Sequence, residues 1–472
     1  MEIHLTWRRL LATLVVGFVV WQVTFLAIQV SRRWRADDAV QAQVLRLDAV
    51  DPGWRFEDLE KADSAPEPNG AQVVVRIGEA LPPNWPMWET KEVPVDARPA
   101  EYGELAKLVW SRDPRKPLGP DANRLLHKEL KRADASLNLL PELSAAKSGK
   151  VAIRYPLVWP DANVKDIGRF LEAAKLLECQ ALAFSQNNQA DAACECAVRV
   201  MHIAQLMGKS HALIGVLARA SLSAKASDMA ERAMAVGEVS PKRLAELQAA
   251  LEREVNELAD QFVFAGRSER ALTHRMLDAY WSGRLKLSGS TFEEVEPTSW
   301  WSDPFEYLGR SFIRDSQARF LDGATELLDS WKAPWHERED RLWPKIAQGS
   351  FSRWHVDALI AMKRSGDALP RVQARLRVCL AAAAAERFRQ DTKRWPTRLD
   401  ELLPRYLKVI PQDPYTGEKL RLAVRELGIS IYSVGSDKLD QGGEPHRLDG
   451  AELDMAFELW NPEHRGIQKR EQ

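Results

Sequence analysis

The chain has 472 residues, of which 45% are hydrophobic and 28% are charged, so global disorder is excluded. Its 66 basic and 67 acidic residues nearly cancel, whereas a protein whose main role is binding nucleic acid usually has a basic excess. Four cysteines are too few for a disulfide scaffold, and 25 glycines and 26 prolines exclude a collagen-like or low-complexity chain.

The first predicted element is an apolar run without charges from Leu10 to Val30. At about 1.5 Å per residue, a helix of this length matches the roughly 30 Å hydrocarbon core of a bilayer. The arginine-rich stretch Ser31-Arg-Arg-Trp-Arg35 follows directly, without the small-residue site at which a signal peptide is cleaved. Residues 1–35 therefore predict an uncleaved signal anchor with one transmembrane helix at 10–30.

The charges that flank this span give little bias to its orientation. Arg8 and Arg9 precede the span, and Arg32, Arg33 and Arg35 follow it. A short tail before a first anchor usually stays inside. We therefore expect a single-pass protein of the cell inner membrane, with the bulk of the chain extracytoplasmic, in the periplasm.

Residues 36–160 are expected to form a mixed helix and loop segment. The turn Asp51-Pro-Gly-Trp54 interrupts a first, acidic helix. The proline-rich stretch 64–100 predicts a surface loop with one short strand at Ala71–Ile77.

Residues 161–369 predict an irregular helical-hairpin domain that matches no named repeat. Apolar residues recur every three or four positions from Val164 to Phe184, with Asp161 as a plausible N-cap. The pair Ser240-Pro241 is typical of the start of a later helix. Residues 161–265 are therefore expected to be almost entirely helical.

The later part of this domain is rich in tryptophan. Its seven tryptophans are Trp281, Trp300, Trp301, Trp331, Trp335, Trp343 and Trp354. Exposed rings of this kind bind sugars or membrane surfaces, but tryptophan is highly buried on average, which favours packing between helices. The alternative is an envelope enzyme acting on a polymer substrate, with Trp300, Trp301 and Trp335 beside the carboxylates of Glu337 and Glu339.

The cysteines leave two interpretations open. Cys179 faces Cys194 or Cys196 across a predicted helical hairpin, and only one of the latter two can point toward it. This argues against a three-thiolate zinc site and allows either one disulfide or ordinary buried thiols. No catalytic motif was found, since Ser144 and Lys147 match S-x-x-K at a spacing expected by chance.

Residues 370–472 predict a small α+β module. Pro370 is expected to open a helix that ends before Trp395-Pro396. Thr397 and Asp400 predict a capping box for a short helix. Two strands are then predicted, and an acidic, glycine-containing loop follows them. The strands are Leu420–Val424 and Ile429–Ser433.

This order of elements resembles the globular domain of the major pseudopilin of type II secretion, general secretion pathway protein G. Three stretches carry the resemblance: Phe388-Arg-Gln-Asp-Thr-Lys-Arg-Trp-Pro396, Leu403-Pro-Arg-Tyr-Leu-Lys-Val-Ile-Pro-Gln-Asp-Pro-Tyr415 and Ile431-Tyr-Ser-Val-Gly-Ser-Asp437. In that family the module's helix continues into the filament-building anchor. Here the anchor lies far upstream, so a filament-subunit role is not expected.

The rest of the chain is similar to a family of uncharacterised bacterial membrane-anchored proteins that end in this same module. Asp51-Pro-Gly-Trp54 and Gly266-Arg-Ser-Glu-Arg270 carry that second resemblance. It implies an architecture and no activity.

The pseudopilin resemblance implies a Ca²⁺ ion in the loop that follows the second strand. Calcium takes six to eight oxygen ligands. The loop offers Asp437 and Asp440, and Asp449 or Asp454 would complete the site as a later aspartate does in the family. Lys438 stands where the family has glycine. No other cofactor is expected.

These features predict a mainly α protein with an N-terminal transmembrane helix, a helical-hairpin domain and a pseudopilin-like module. The function they favour is a membrane-anchored extracytoplasmic interaction or scaffold protein that docks to an envelope or secretion assembly. Its expected partners are the membrane and other proteins, and not nucleic acid.

Overall fold

The structure is a computed structural model, which describes residues 2–89, 99–109, 114–288, 291–296, 304–338, 353–444 and 454–467. It is mostly helical, with one long apolar N-terminal helix and small antiparallel sheets. The helices are α1 (Glu2–Val50), α2 (Phe56–Lys61), α3 (Ala71–Glu79), α4 (Ala100–Val109), α5 (Pro120–Arg132), α6 (Asp134–Leu137), α7 (Lys165–Gln186), α8 (Ala190–Leu206), α9 (Leu213–Val236), α10 (Pro241–Trp281), α11 (Pro304–Lys332) and α12 (Arg353–Thr392). The strands are β1 (Leu285–Ser288), β2 (Thr291–Glu294), β3 (Arg421–Arg425), β4 (Gly428–Ser433) and β5 (Met455–Trp460).

Helix α1 is one uninterrupted helix of 49 residues. Its apolar part has a mean hydropathy of 2.2 and is long and apolar enough to cross a membrane, as predicted. None of the residues that the structure describes buries this part. Its second half differs, because Val40 and Leu47 are buried in the main core. The helix ends at Val50, and the predicted turn at Asp51-Pro-Gly-Trp54 follows.

The strand predicted at Ala71–Ile77 is wrong, because this segment forms helix α3. Ala71, Val74 and Ile77 are all buried, and a spacing of three places them on one face of a helix. That face packs against α7. Packing of this apolar face outweighs the strand preference of the valines.

The four helices α7 to α10 form the antiparallel hairpins that the apolar periodicity predicts, and residues 161–265 are almost entirely helical. Ser240 caps α10 as expected, since its hydroxyl accepts a hydrogen bond from the Arg243 backbone N–H at 3.3 Å. Asp161 does not cap α7. It lies in a short 3-10 helix, Trp159–Asp161, and α7 begins at Lys165.

Pro370 does not open a helix, because it lies inside α12, which is continuous from Arg353 to Thr392. A proline in a helix removes one N–H donor and crowds the carbonyl four residues earlier. Burial on both sides holds the helix together, since Leu369 and Ala374 lie in the protein interior. The predicted domain boundary between 369 and 370 therefore falls within a helix.

The C-terminal sheet has the order β3-β4-β5 and is antiparallel throughout. Strands β3 and β4 confirm the two predicted strands, with Leu422 opposite Ile431. Strand β5 was not predicted, and it covers the other side of β4 and packs against α9 and α12. The hairpin β1–β2, which follows α10, was not predicted either.

The predicted capping box of Thr397 and Asp400 is also wrong. Glu401 is the acceptor, and its carboxylate binds the backbone N–H groups of Thr397 at 2.7 Å and Arg398 at 3.2 Å. The short helix is a 3-10 helix, Leu399–Leu402, with Arg398 at its N-cap.

Candidate functional site

The second half of α1 is fixed to α10 and α11 by charged and aromatic contacts along its length. Near the apolar part of α1, the Arg33 guanidinium lies over the rings of Trp281, at 3.6 Å, and Tyr307, at 3.8 Å. One turn further on, Asp37 accepts hydrogen bonds from the buried Arg314 at 2.7 and 3.0 Å. Arg314 also binds Asp278 at 2.8 Å, which links all three helices.

The motifs Asp51-Pro-Gly-Trp54 and Gly266-Arg-Ser-Glu-Arg270 meet at the far end of α1. Asp51, from Asp51-Pro-Gly-Trp54, accepts hydrogen bonds from Arg267, with one at 3.1 Å, and from Arg270. Arg270 is 2% exposed, and its guanidinium lies 5.7 Å from the Trp54 ring. Burial favours the neutral form of Asp51, but the two arginines outweigh it and lower the pKa of the carboxyl. The motif at 266–270 thus holds the end of the anchor helix.

The same motif reaches a second polar cluster through Ser268. The Ser268 hydroxyl lies 3.0 Å from Nδ1 of His211, and Nε2 of His211 lies 3.3 Å from Oδ2 of Asp63. Lys150 pairs with the same Asp63 oxygen at 2.8 Å. Contacts that run from a serine through a histidine to an aspartate are the elements of a nucleophilic triad. Here Ser268 is completely buried, so its hydroxyl is closed to a substrate and the arrangement acts as a structural link.

A small cavity borders this cluster and is lined by Lys150, Tyr155 and His211 among others. Burial raises the pKa of Tyr155 to about 12, so the phenol is neutral at physiological pH. Glu269 accepts a hydrogen bond from the Leu213 backbone N–H at 2.7 Å, at the start of α9. Burial raises the pKa of Glu269 to about 7, against the opposing effect of that hydrogen bond.

The tryptophans that the structure describes do not line a common cleft. Trp331 is buried between α10 and α12, and Gly266 and Gly366 make room for its ring, since a Cβ at either glycine would lie within 2.6 Å of it. Trp335 is partly buried beneath Arg338. Glu337 points outward, with 61% of its side chain exposed. Trp300, Trp301, Trp343, Glu339 and the side chain of Trp354 lie outside the described residues.

All four cysteines are free and buried, so the interpretation as ordinary thiols is confirmed. Burial raises the pKa of each thiol, to about 12 for Cys196 and Cys379. Neutral, enclosed thiols are poor nucleophiles and poor metal ligands.

In the C-terminal module, the turn before β3 and the loop after β4 are tied together by a buried aspartate that the sequence did not single out. Asp413 accepts hydrogen bonds from the backbone N–H of Tyr415 at 2.9 Å and of Val434 at 2.8 Å, and from the Ser433 hydroxyl at 2.9 Å. Its carboxylate is therefore fully used in shaping the module.

The predicted calcium ligands Asp437 and Asp440 both bind groups of their own loop or strand. Asp437 accepts from the Leu439 backbone N–H at 3.0 Å and from the Gln441 side chain at 2.8 Å. Asp440 pairs with Arg421 of β3 at 2.9 Å. Burial opposes ionisation of Asp440, but hydrogen bonds from Gly442 and Tyr432 and the Arg421 charge lower its pKa overall.

Asp454 differs from these two because only one of its two carboxylate oxygens accepts hydrogen bonds from the described residues. Oδ2 accepts from the backbone N–H groups of Gln441 at 3.0 Å and Gly443 at 2.6 Å. Oδ1 is buried and has no hydrogen-bond partner among the described residues. Burial, and then the nearby Asp440 and Asp437, raise the pKa of Asp454. Among the described residues no three His, Cys, Asp or Glu side chains come together as a metal site. Asp449 lies outside them.

No protein-family model matches this chain, and neither a curated protein nor a solved structure is similar to it.

Proposed function

We propose that this protein is a membrane-anchored extracytoplasmic scaffold that holds an interaction surface at a fixed position above the inner membrane. The observation that carries the proposal is the continuity of α1. Its first half is an apolar helix that none of the described residues covers. Its second half packs into the core of the remaining described residues, which we call the body. A flexible tether would leave the body free to turn, whereas a shared helix couples its orientation to the span.

Two exposed tryptophans support a span at this position. Trp7 and Trp34 lie on either side of the apolar run and are 67% and 70% exposed. They are 27 positions apart, which corresponds to roughly 40 Å of helix, the thickness of a bilayer with its headgroup layers. Tryptophan is enriched at both interfaces of a membrane.

The location and orientation are tested with the full chain in its own membrane. We expect it to resist alkaline carbonate extraction, and a chain that begins at Ser31 to be soluble. Protease added to spheroplasts should degrade the body. Protection of the body in intact spheroplasts, with degradation after lysis, would reverse the proposed orientation without affecting the anchor.

We infer that the C-terminal module is the docking surface, and that its partner belongs to an envelope or secretion assembly. The pseudopilin resemblance and the exposure of one side of the sheet support this. Strands β3 and β5 are the two edges of the sheet, and of these β5 packs against α9 and α12. Apolar side chains are exposed near the β3 edge, with Val424 68%, Leu439 63% and Leu427 42% exposed. Exposed apolar side chains on an edge strand are typical of sites where another chain binds.

The docking proposal is tested by affinity capture of the tagged full chain from detergent-solubilised membranes. A partner that binds this edge should be lost when Val424→Lys and Leu439→Lys are combined. Leu171→Lys is the matched control, because Leu171 is an exposed leucine on α7, in the helical domain. Equal capture by the edge variant and the control would contradict docking through β3.

We also propose that the loop after β4 binds Ca²⁺. The unpartnered Oδ1 of the buried Asp454 favours this, because a buried carboxylate oxygen without a donor is satisfied by a cation. Asp437 and Asp440 would supply further oxygens, and Ca²⁺ would take the place that Arg421 occupies beside Asp440. When bound, the ion supplies charge neutralisation and order to the loop.

Calorimetry and thermal unfolding of the full chain in detergent test this proposal. Millimolar Ca²⁺ should release heat and raise the melting temperature of the wild type. Both effects should disappear in Asp437→Ala and persist in Arg398→Gln, a control in the same module whose exposed side chain lies elsewhere. No heat and no shift with the wild type would refute calcium binding.

A further inference from the structure

The contacts of α1 show how far parts of the body lie from the hydrocarbon core of the membrane that α1 is proposed to span. The apolar run ends at Val30, and Arg33 lies three residues, or about 4.5 Å, further along the helix. The headgroup layer on each side of a bilayer is roughly 5–7 Å thick. Arg33 is therefore at headgroup depth, and so are the rings of Trp281 and Tyr307 that enclose its guanidinium at 3.6 and 3.8 Å.

The directions of the neighbouring helices show which end of the body lies there. Along α1, Arg33, Asp37 and Arg46 contact Tyr307, Arg314 and Asp322 in that order, so α11 runs parallel to α1. Along α10 the order is reversed, since Trp281 lies beside Arg33 while Arg267 binds Asp51. The C-terminus of α10 and the N-terminus of α11 are therefore the parts of this bundle closest to the membrane.

The side chains at this level are those that suit an interface between lipid and water. Trp34 is 70% exposed, and Arg32 and Arg35 are exposed beside it. Tryptophan has an apolar ring with one N–H donor and is favoured at headgroup level. Arginine binds phosphate through paired hydrogen bonds. A helix end that faces only water gains no stability from an exposed tryptophan between two exposed arginines.

We propose that this membrane-proximal end of the bundle lies within the phospholipid headgroup layer of the bilayer that α1 spans. The end comprises residues 31–35 of α1, Trp281 and Tyr307. Arg32 and Arg35 bind lipid phosphates, and Trp34 inserts its ring at the boundary of the hydrocarbon. The inference rests on the proposed function, because it requires α1 to span the membrane. It adds that the body contacts the lipid surface and does not stand clear of it.

The test uses the full chain in vesicles that contain phosphatidylcholine with a nitroxide on its headgroup, which quenches a nearby fluorophore. Single cysteines are placed at Ser282, which is exposed directly after α10, and at three exposed positions of α1: Asp38, Leu45 and Val50. The four native cysteines are buried with raised pKa values, so the introduced thiol is labelled selectively.

Quenching should fall from Asp38 to Leu45 to Val50, which calibrates distance from the bilayer. The label at Ser282 should be quenched at least as strongly as the label at Asp38. Quenching at Ser282 as weak as at Val50, with the calibration intact, would overturn the inference. Loss of the calibration, together with extraction of the chain by carbonate, would instead refute the anchor itself.

Discussion

Ion pairs fix two ends of this protein to the helical body: the end of α1 at Asp51, called the anchor end, and the C-terminal end. The two ends differ in which charges are buried. At the anchor end only the arginine is fully buried, since the side chain of Arg270 is 2% exposed and that of its partner Asp51 is 21% exposed. At the C-terminal end both signs are buried: Glu386 is fully buried, and Arg465 and Arg389, each at 2.8 Å from it, are 3% and 7% exposed. A buried charge is costly when its partner is lost, so the number of partners decides how robust each end is.

The largest expected effect is at the anchor end. Asp51→Asn removes the negative charge that both Arg267 and Arg270 bind, and it leaves Arg270 buried without a counterion. We expect a loss of about 3–5 kcal/mol in the free energy of unfolding, measured by urea denaturation of the chain that begins at Ser31.

Arg46→Gln is the control for this prediction. Arg46 is on α1 and pairs with Asp322 of α11 near the surface. Breaking this pair should change the stability little. Equal effects of Asp51→Asn and Arg46→Gln would show that the ion pairs of Asp51 do not stabilise the packing of α1 against α10.

A smaller effect is expected at the C-terminal end, because Glu386 has two partners. In Arg465→Gln the carboxylate keeps Arg389, and the loss should be about 2 kcal/mol. Glu386→Gln should cost more than Arg465→Gln, since it leaves the buried Arg465 without a counterion and Arg389 with Glu238 alone. Denaturation of both variants side by side gives the order, and the reverse order would break the comparison between the two ends.

The anchor end also contains a carboxyl that titrates near neutrality, Glu269. Its folded pKa, raised by burial to about 7, lies above the ordinary value of 4.5, so the folded state binds the proton more tightly. Stability should therefore fall as pH rises between about 4.5 and 7, by on the order of 2 kcal/mol because the side chain is partly exposed.

Glu269→Gln keeps an acceptor for the Leu213 N–H and removes this titration. The variant should become more stable than the wild type as pH rises through this window. Parallel curves of unfolding midpoint against pH for the two proteins would contradict the assignment.

The smallest effect concerns the two buried aspartates of the C-terminal module. Asp454→Asn replaces an oxygen that has no donor and keeps an acceptor for Gln441 and Gly443, so stability without Ca²⁺ should change by less than about 1 kcal/mol. Asp413→Asn loses part of a carboxylate that accepts three hydrogen bonds and should cost more. Thermal unfolding in a calcium chelator distinguishes them, and equal costs would show that Oδ1 of Asp454 has a partner.

Local periodicity was sufficient to predict the elements whose conformation follows from the pattern of their own residues. The long apolar helix at the start of α1, the hairpins α7 to α10 and strands β3 and β4 belong to this group. It failed for elements whose conformation depends on packing against residues far away along the chain. Ala71–Ile77 is rich in valine but becomes helix α3 against α7, and α12 continues through Pro370 because both sides of the proline are buried. Strand β5 forms because β4 offers it a free edge.

The candidate sites divide in the same way. Asp437 and Asp440 could be predicted as candidate ligands because they share one short loop, but Arg421, which neutralises Asp440, belongs to a different element. The motif at 266–270 was recognisable as a pattern, yet its partners Asp51, Asp63 and His211 are far away along the chain. A single sequence contains no signal that pairs Asp51 with Arg267, because nothing local depends on it.

The continuity of α1 has a consequence for biosynthesis. Asp51 leaves the ribosome 216 residues before Arg267, the first of its two arginine partners. At about 5–20 residues per second, the interval is roughly 10–40 seconds. With α1 inserted as the proposed anchor, the half of α1 behind the span has during this time an apolar face and no α10 or α11 to cover it. In the proposed orientation, insertion therefore precedes completion of the core, and a chaperone at the exit of the translocation channel would meet this half-helix first.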